Sequence, residues 1–265
     1  MIYLVTANQQ LFENDVYKII SVDESLAIMK DWKMFQFDTE TLGKDPHVGS
    51  LLLAQFGSID KSIQIVVDCT TISILKYKEV LESNYLIGQN LKFDLQWLYN
   101  YEIIPLKVYD TMIVEQVLYL GYPPLYKDPI NGISYSLQAI AERRLGIYID
   151  KTVRGEIQWR GIDTSTIKYA AGDVIHLNDI MKSQVADCKK QGCIVGAKLE
   201  CDFVPVIAYL EWCGIHLDEE KWKAKMRIDR QHLDEAINDL NNFVLSDPNL
   251  KEFTYVNTQG DLFNG

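Results

Sequence analysis

The sequence predicts an α/β protein in which helices flank a sheet that is partly antiparallel. Up to about residue 190, short apolar segments typical of strands alternate with amphipathic segments typical of helices. Two neighbouring apolar segments, 50–56 and 62–67, are joined by a turn-like Gly-Ser-Ile-Asp sequence and therefore predict an antiparallel hairpin. After about residue 190 the strand signals stop and helical patterns continue.

The first predicted elements are a strand, a capped helix and a central strand. Residues 1–5 are apolar and predict a strand, and residues 22–30 have the pattern of a short helix. Ser21 can cap that helix, and Glu24, three residues later, completes a capping box. Residues 34–38 form an apolar run that ends in an acid, which favours a strand in the centre of the sheet.

Two further strands each lead into a helix. Residues 85–88 predict a strand, and the helix that follows over 92–99 has Asn90 as its expected N-cap. Residues 108–110 lead into a helix over 111–120, which a Gly-Tyr-Pro-Pro sequence ends.

A loop and two helices complete this part of the chain. Residues 122–133 predict the loop. A helix over 136–145 can be capped by Ser136, and a helix over 164–182 can be capped by Asp163 or by the threonine after it.

The last part of the chain is predicted to be helical. Four apolar residues fall on one face of a helical pattern, namely Leu199, Phe203, Val206 and Leu210. Asp218 can cap a second helix over 219–244, whose predicted buried stripe contains Trp222, Leu233, Ile237 and Leu240. A two-helix arm of this length has little to pack on alone. We therefore expect it either to fold back on the first domain or to continue beyond Gly265.

The charge of the chain limits its partners less than it first suggests. A net charge of -11 over 265 residues disfavours binding to nucleic acid. A carboxylate-rich metal site is acidic before its metals bind, however, and a local basic patch can hold a phosphate backbone. Residues 141–168 contain such a patch, consisting of Arg143, Arg144, Lys151, Arg154, Arg160 and Lys168. Taken alone, each of these charges is more typical of an ordinary solvated surface.

The cysteines and the apolar runs indicate an intracellular protein. The five cysteines are scattered without a CxxC pair, which disfavours a zinc site or a disulfide framework and indicates a reducing compartment. No apolar run approaches the roughly 18 residues that a membrane span needs. We therefore expect a cytoplasmic location, including association with a nucleoid or with viral replication, and no membrane partner.

Four acids and a tyrosine make up the candidate site. Asp38 and Glu40 are two residues apart at a predicted strand end, so they share a face. Asp94 would point from the first turn of a helix toward the sheet, and Tyr169 and Asp173 share a helix face. Each segment alone is common in ordinary proteins. Together they offer the oxygen ligands for two divalent metals and a group to position a water, which indicates phosphodiester cleavage.

Three segments, in this order, resemble the motifs of a known family. They are Phe37-Asp38-Thr39-Glu40-Thr41, Asn90-Leu91-Lys92-Phe93-Asp94 and Tyr169-Ala170-Ala171-Gly172-Asp173. They resemble the proofreading 3′–5′ exonuclease domain of family A (DNA polymerase I-like) polymerases, in the tyrosine subclass of the DEDD superfamily. Lys168 stands where the histidine subclass would have its histidine, and we interpret His176 as structural. The resemblance covers a domain of residues 1–190 and implies a ribonuclease H-like mixed sheet flanked by helices.

The resemblance also implies a role for each site residue. Asp38 would bridge two divalent ions, Mg²⁺ or Mn²⁺, and Asp173 would complete the shell of the first. Asp94 would support the second ion. Glu40 and Tyr169 would orient the attacking water. Three residues would contact the terminal nucleotide of the substrate, namely Leu42, Asn90 and Phe93.

The tail resembles the beginning of a polymerase domain. Residues 199–218 are similar to the helix that opens this domain in family A enzymes, and the long helix after them is similar to part of the thumb. Residues 191–265 would then be an incomplete helical segment of that domain, and this chain alone would not synthesise DNA. The remainder of a polymerase, or other replication proteins, would be its partners.

Three functions follow as hypotheses. The first is a metal-dependent 3′–5′ exonuclease that acts on the single-stranded 3′ end of DNA and releases nucleoside 5′-monophosphates. The second is a ribonuclease D-like exonuclease that trims RNA, against which the polymerase-like tail counts. The third is an inactive nucleic-acid-binding or docking module, against which the complete set of acids counts.

Overall fold

The computed structural model of the protein describes residues 1–123, 125, 127–128, 130–149 and 161–250. The chain divides into two compact units, Met1–Cys213 and Gly214–Gly265. Three basic residues of the predicted patch, Lys151, Arg154 and Arg160, lie outside the described residues, as does the end of the chain from residue 251. The division into an exonuclease domain, residues 1–190, and the beginning of a polymerase domain, residues 191–265, stays a prediction.

The first unit is built on a mixed sheet of seven strands, with the order β2-β1-β5-β4-β3-β6-β7. The strands are β1 Ile2–Val5, β2 Tyr17–Ile19, β3 Met34–Leu42, β4 Ser50–Gly57, β5 Gln64–Asp68, β6 Tyr85–Gly88 and β7 Val108–Asp110. The pairs β3–β4 and β4–β5 are antiparallel, and the other neighbours are parallel. The predicted α/β class, the partly antiparallel sheet and the β4–β5 hairpin are therefore confirmed.

Strand β3 is longer than the sequence predicts, and its extra length carries the candidate site. Only residues 34–36 pair with β6, whereas β4 pairs with β3 as far as Leu42. The second half of β3 therefore runs on past the end of β6. A bulge after Glu40, where the register with β4 shifts, bends this extension.

Helices cover the sheet and follow it. They are α1 Val22–Met29, α2 Lys78–Ser83, α3 Leu91–Tyr99, α4 Thr111–Leu118, α5 Leu137–Leu145, α6 Thr164–Asp173, α7 Leu177–Gln191, α8 Ile194–Cys213 and α9 Glu219–Ser246. The predicted capping box of α1 is present, because Ser21 Oγ accepts from the Glu24 amide and the Glu24 carboxylate accepts from the Ser21 amide. Ser136 and Asp163 cap α5 and α6 as expected.

The two faces of the sheet bury different cores. Aromatic side chains fill one face, where Phe35, Phe37 and Phe56 pack on one another. On the other face, α6 packs small residues such as Ala170 and Ala171 against the sheet. Since side chains alternate along a strand, the residues between the phenylalanines of β3 point toward the α6 face.

The predicted single helix over 164–182 is wrong, because the chain breaks between α6 and α7. The break lies against β4, where a Cβ atom built on Gly57 would come within 2.4 Å of the Val174 carbonyl oxygen. Gln36 on β3 holds the start of α7, since its Oε1 accepts from the Asn178 amide at 2.9 Å. The sheet therefore ends α6 directly after Asp173.

Helix α8 buries a face other than its apolar stripe. The four apolar residues Leu199, Phe203, Val206 and Leu210 share a face of α8, but all are exposed. Helix α8 instead packs through mostly small residues, namely Ala197, Cys201, Val204, Pro205 and Ala208. Small side chains let it lie close to α3, α4 and β7, which apolar periodicity alone does not reveal. Helix α9 has no buried residue, so the buried stripe that the sequence predicts for it is wrong.

We predict that Gly57→Ala destabilises the fold by about 1–3 kcal/mol, because the new methyl group would collide with the Val174 backbone. A matched control is Gly172→Ala in α6, where an added Cβ would meet no described atom within 4 Å. That variant should leave the stability unchanged or raise it by up to about 1 kcal/mol. Denaturant unfolding of the three proteins in EDTA measures both effects. Equal stability of Gly57→Ala and wild type would contradict the close approach.

Candidate active site

Three of the predicted acids converge at one point. Asp38 and Glu40 on β3 and Asp173 at the end of α6 each offer a carboxylate oxygen, and these oxygens lie within 4.8 Å of one another. Asp38 and Glu40 are half-buried, and Asp173 is buried. This set is called the acidic cluster below.

The fold brings the cluster together from two elements. Asp38 and Glu40 alternate with Phe37 and Thr39, so they point away from the aromatic core and toward α6. Helix α6 lies across the sheet, and its last residue is Asp173 because the chain breaks over Gly57. The convergence thus depends on strand alternation and on where one helix stops.

Asp94 lies beside the cluster, on α3. Among the described residues it is not a member of the group of acids within 4.8 Å. Thr39, which alternates to the opposite face from its acidic neighbours, donates a hydrogen bond from Oγ1 to Asp94 Oδ1 at 2.5 Å. Asp94 is thereby tied to the same strand segment as the cluster, and its role toward a second ion stays a prediction.

Burial raises the pKa of the Asp94 carboxyl to about 8. Desolvation is the main cause, since the carboxyl is completely surrounded by protein, and the nearby charge of Asp110 adds to it. The hydrogen bond from Thr39 acts in the opposite direction. In the absence of a cation, burial therefore favours the protonated form of Asp94 to a higher pH than in an exposed carboxyl.

Sequence reasoning did not identify Asp110 as part of the site. Its fully buried carboxylate accepts the backbone amides of Asn90 at 3.0 Å and Leu91 at 2.8 Å. It also accepts the Met112 amide at 2.9 Å, at the start of α4. One side chain thus fixes the starts of two helices. An acid before a predicted helix indicates a cap, but its reach to α3 depends on the parallel pairing of β6 and β7.

Asn90 occupies the predicted N-cap position of α3, but its side chain does not cap the helix. Its backbone is left-handed with φ 58°, and its side chain makes no capping hydrogen bond. The Asp110 carboxylate binds the Asn90 and Leu91 amides instead. The Asn90 side chain therefore remains available for another contact.

The three predicted substrate residues lie at the end of β3 and at the start of α3, and each is at least partly exposed. Leu42, at the end of β3, is 46% exposed. Asn90 and Phe93 are half-buried, and the Phe93 ring lies edge-on to Trp97 with centroids 6.0 Å apart. Their contact with substrate stays a prediction.

A groove of about 290 Å³ opens beside Asn90. Its walls come from α3, α4 and α8, so the helix that follows residue 190 contributes to it. The lining residues are Asn90, Lys92, Asp110, Met112, Ile113, Gln116, Glu200, Phe203, Val204 and Ile207.

Tyr169 and its neighbours have the expected placement on α6. Tyr169 is half-buried, one turn before Asp173, whereas Lys168 is exposed. His176 lies in the link to α7, where burial and the nearby Lys61 ammonium lower its pKa.

The described part of the basic patch is largely neutralised within the protein. Arg143 and Arg144 both bind the buried carboxylate of Glu115, at 2.7 and 2.8 Å. Arg144 is only 5% exposed at its side chain and also binds Asp187 at 2.5 Å. A buried acid on α4 thus already pairs with both arginines, and their contact with a phosphate backbone stays a prediction.

The chemistry of the cluster fits a hard divalent cation. All three donors are carboxylate oxygens, which Mg²⁺ and Mn²⁺ prefer. Their mutual repulsion would be relieved by a cation between them.

No helix among the described residues is apolar and long enough to cross a bilayer.

Comparison with known proteins identifies similar chains. A family model described as 3′–5′ exonuclease matches residues 16–185. DNA polymerase I of Aquifex aeolicus is 29% identical over an alignment of 215 residues, which covers 72% of this chain and 33% of that protein. Ribonuclease D of Nitrobacter hamburgensis is 26% identical over 172 residues, 63% of this chain and 42% of that protein. The chain therefore spans less than half the length of either relative.

Solved structures share the fold. NrnC of Brucella melitensis bound to pGG matches with a TM-score of 0.61 at 20% identity, covering 80% of this chain and 93% of that one. Ribonuclease D of Escherichia coli matches with a TM-score of 0.60 at 18% identity, covering 77% of this chain and 50% of that one. The predicted ribonuclease H-like fold is confirmed by these exonuclease structures.

We predict that Asp94 makes the metal-free protein less stable as the pH rises. Its folded pKa, about 8, lies above the ordinary value of 3.8, so the folded state binds the extra proton between these values. Unfolding free energy should therefore fall between pH 5 and pH 8. The variant Asp94→Asn keeps an oxygen for Thr39 and has no proton to lose. In EDTA, its stability advantage over wild type should grow by about 1 kcal/mol per pH unit across this range. Parallel pH dependences of the two proteins would contradict the raised pKa.

Proposed function

The chain belongs to the 3′–5′ exonuclease family whose model matches residues 16–185, and we propose that it hydrolyses DNA from the 3′ end and releases nucleoside 5′-monophosphates. The observation that carries this proposal is the acidic cluster, in which three carboxylates from β3 and α6 lie within 4.8 Å. Carboxylates so close together serve a cation-dependent reaction better than they serve the stability of the fold.

We infer that the cluster holds divalent cations, Mg²⁺ or Mn²⁺. Asp38, Glu40 and Asp173 would hold the first ion, and Asp38 and Asp94 the second. When bound, two such ions would supply positive charge for activating a water and for stabilising the departing 3′ oxygen.

The protein's own groups would orient the reactants. Tyr169 lies one turn before Asp173 on α6, so its hydroxyl can hold the attacking water from the helix side. Glu40 shares the α6-facing side of β3 with Asp38 and can accept a hydrogen bond from the same water. Asn90, Phe93 and Leu42 would hold the terminal nucleotide, and the groove beside Asn90 offers room for the nucleotide before it.

The choice of DNA rests on two observations. A DNA polymerase I is among the relatives, with 29% identity, and residues 199–218 resemble the start of a polymerase domain. Together these observations favour a proofreading role. Residues 1–190 would be the exonuclease domain, residues 191–265 would open a polymerase domain, and the remainder of a polymerase would be the partner.

RNA is the second candidate substrate. The relatives include a ribonuclease D, and one of the matching structures is NrnC bound to pGG. The same cluster could cleave either nucleic acid, because the reaction occurs at the phosphate. A docking module without activity is the third candidate, which the intact set of acids disfavours.

We predict that Asp38→Ala and Asp173→Ala each reduce cleavage to background while the protein stays folded. Each change removes a cation ligand and also removes a like charge from the cluster, so the free energy of unfolding should not fall. The assay follows 5′-labelled single-stranded DNA, and RNA of the same sequence, with Mg²⁺ or with EDTA. The exposed acid Glu142 on α5 provides the control variant Glu142→Ala, which should keep wild-type activity.

A metal-dependent ladder that forms faster on DNA than on RNA is the expected result. Faster trimming of RNA would favour the ribonuclease D-like function instead. Undiminished cleavage by both cluster variants would reject the proposed site, and loss of cooperative unfolding in them would show that these acids are structural.

A further inference from the structure

A buried glutamine beside the acidic cluster has no visible partner. Gln55 lies on β4 and is completely buried. Within the part of the chain that the structure describes, neither Nε2 nor Oε1 of its amide has a hydrogen-bond partner. Leaving such a group unpaired costs about 1–3 kcal/mol, so its position needs an explanation.

The register of the sheet shows which residue the amide adjoins. Gln55 is the direct cross-strand partner of Asp38 on β3. Residues paired in this way have their side chains on the same face, with Cβ atoms about 5 Å apart. The Gln55 side chain therefore lies on the α6 face, next to an acid of the cluster.

The residues directly beside Gln55 on β4 and β5 carry no polar side chain. Val66 is its partner on β5, and Leu53 and Gly57 flank it on the same face of β4. Thr166 is buried on α6, and its hydroxyl already accepts from the Asp163 amide and donates to the Asp163 carbonyl. Asp38 is thus the acid paired directly with Gln55 across the strands, and Glu40 is its diagonal neighbour on the same face.

A comparable amide on the same face is fully paired. Gln36, two residues before Asp38, donates to the Ser58 carbonyl at 2.8 Å and accepts from the Asn178 amide at 2.9 Å. The fold therefore satisfies one of these two glutamines by itself and leaves the other facing the cluster.

We propose that Gln55 is a positioning residue for the Asp38 carboxylate when a cation is bound, an inference that rests on the proposed function. A carboxylate that binds a cation has a fixed orientation, and a neighbouring amide can then donate to its second oxygen. Groups that hold ligands in this way commonly change metal affinity by about 10- to 100-fold when they are removed. Gln55 contacts neither the substrate nor the reacting atoms in this role.

The test is Gln55→Met, which keeps the volume of the side chain and removes the amide. In EDTA, the free energy of unfolding should stay unchanged or rise, because an unpaired buried amide has been removed. Mn²⁺ binding, followed by electron paramagnetic resonance of the free ion, should weaken at least about tenfold. The Mn²⁺ concentration for half-maximal cleavage should rise by the same factor, with little change in the rate at saturating Mn²⁺.

Gln36→Met is the matched control for stability, and it should lower the free energy of unfolding because both partners of that amide are lost. Unchanged Mn²⁺ affinity in Gln55→Met would overturn the inference. A loss of stability in EDTA would also overturn it, since the amide would then serve the fold. If wild type itself neither binds Mn²⁺ nor cleaves, the proposed function fails. If wild type does both and Gln55→Met matches it, only the role of Gln55 fails.

Discussion

The close approach of the α6–α7 link to Gly57 determines where the acidic cluster forms. Because β4 has no side chain at this position, the Val174 backbone can lie directly on the sheet, and α6 must end at the residue before it. That residue is Asp173, and the extended half of β3 brings Asp38 and Glu40 to the same point. The site therefore depends on a backbone contact that involves none of the acidic side chains.

In the absence of cations, the site lowers the free energy of unfolding. Three carboxylates lie close together, the Asp94 carboxyl is buried with a pKa of about 8, and the Gln55 amide is buried beside them. Each of these features disfavours the folded state, and positive charge at the cluster would relieve the carboxylate repulsion and favour an ionised Asp94. A fold selected for stability alone would avoid this combination, whereas a cation-dependent hydrolase would use it.

Local sequence signals predicted much of this structure, and the misses at the site involve contacts between distant segments. Ser21 and its capping box were predictable because the interaction lies within four residues. The end of α6 was not, because it depends on Val174 meeting Gly57. Asn90 was expected to cap α3, but Asp110 on a neighbouring strand binds those amides instead. The acids of the cluster were predictable from spacing and family resemblance, whereas their supporting residues follow only from the sheet register.

The most direct test of this account is the location of Mn²⁺ by anomalous diffraction from crystals of the wild-type protein. The account predicts an ion at about 2.1 Å from carboxylate oxygens of Asp38 and Asp173, with Glu40 in contact with the ion or its water. Crystals of the variant Gly57→Ala, treated in the same way, should show a lower Mn²⁺ occupancy at this site, because the end of α6 would be displaced. Full Mn²⁺ occupancy elsewhere, with none between β3 and α6, would contradict the account.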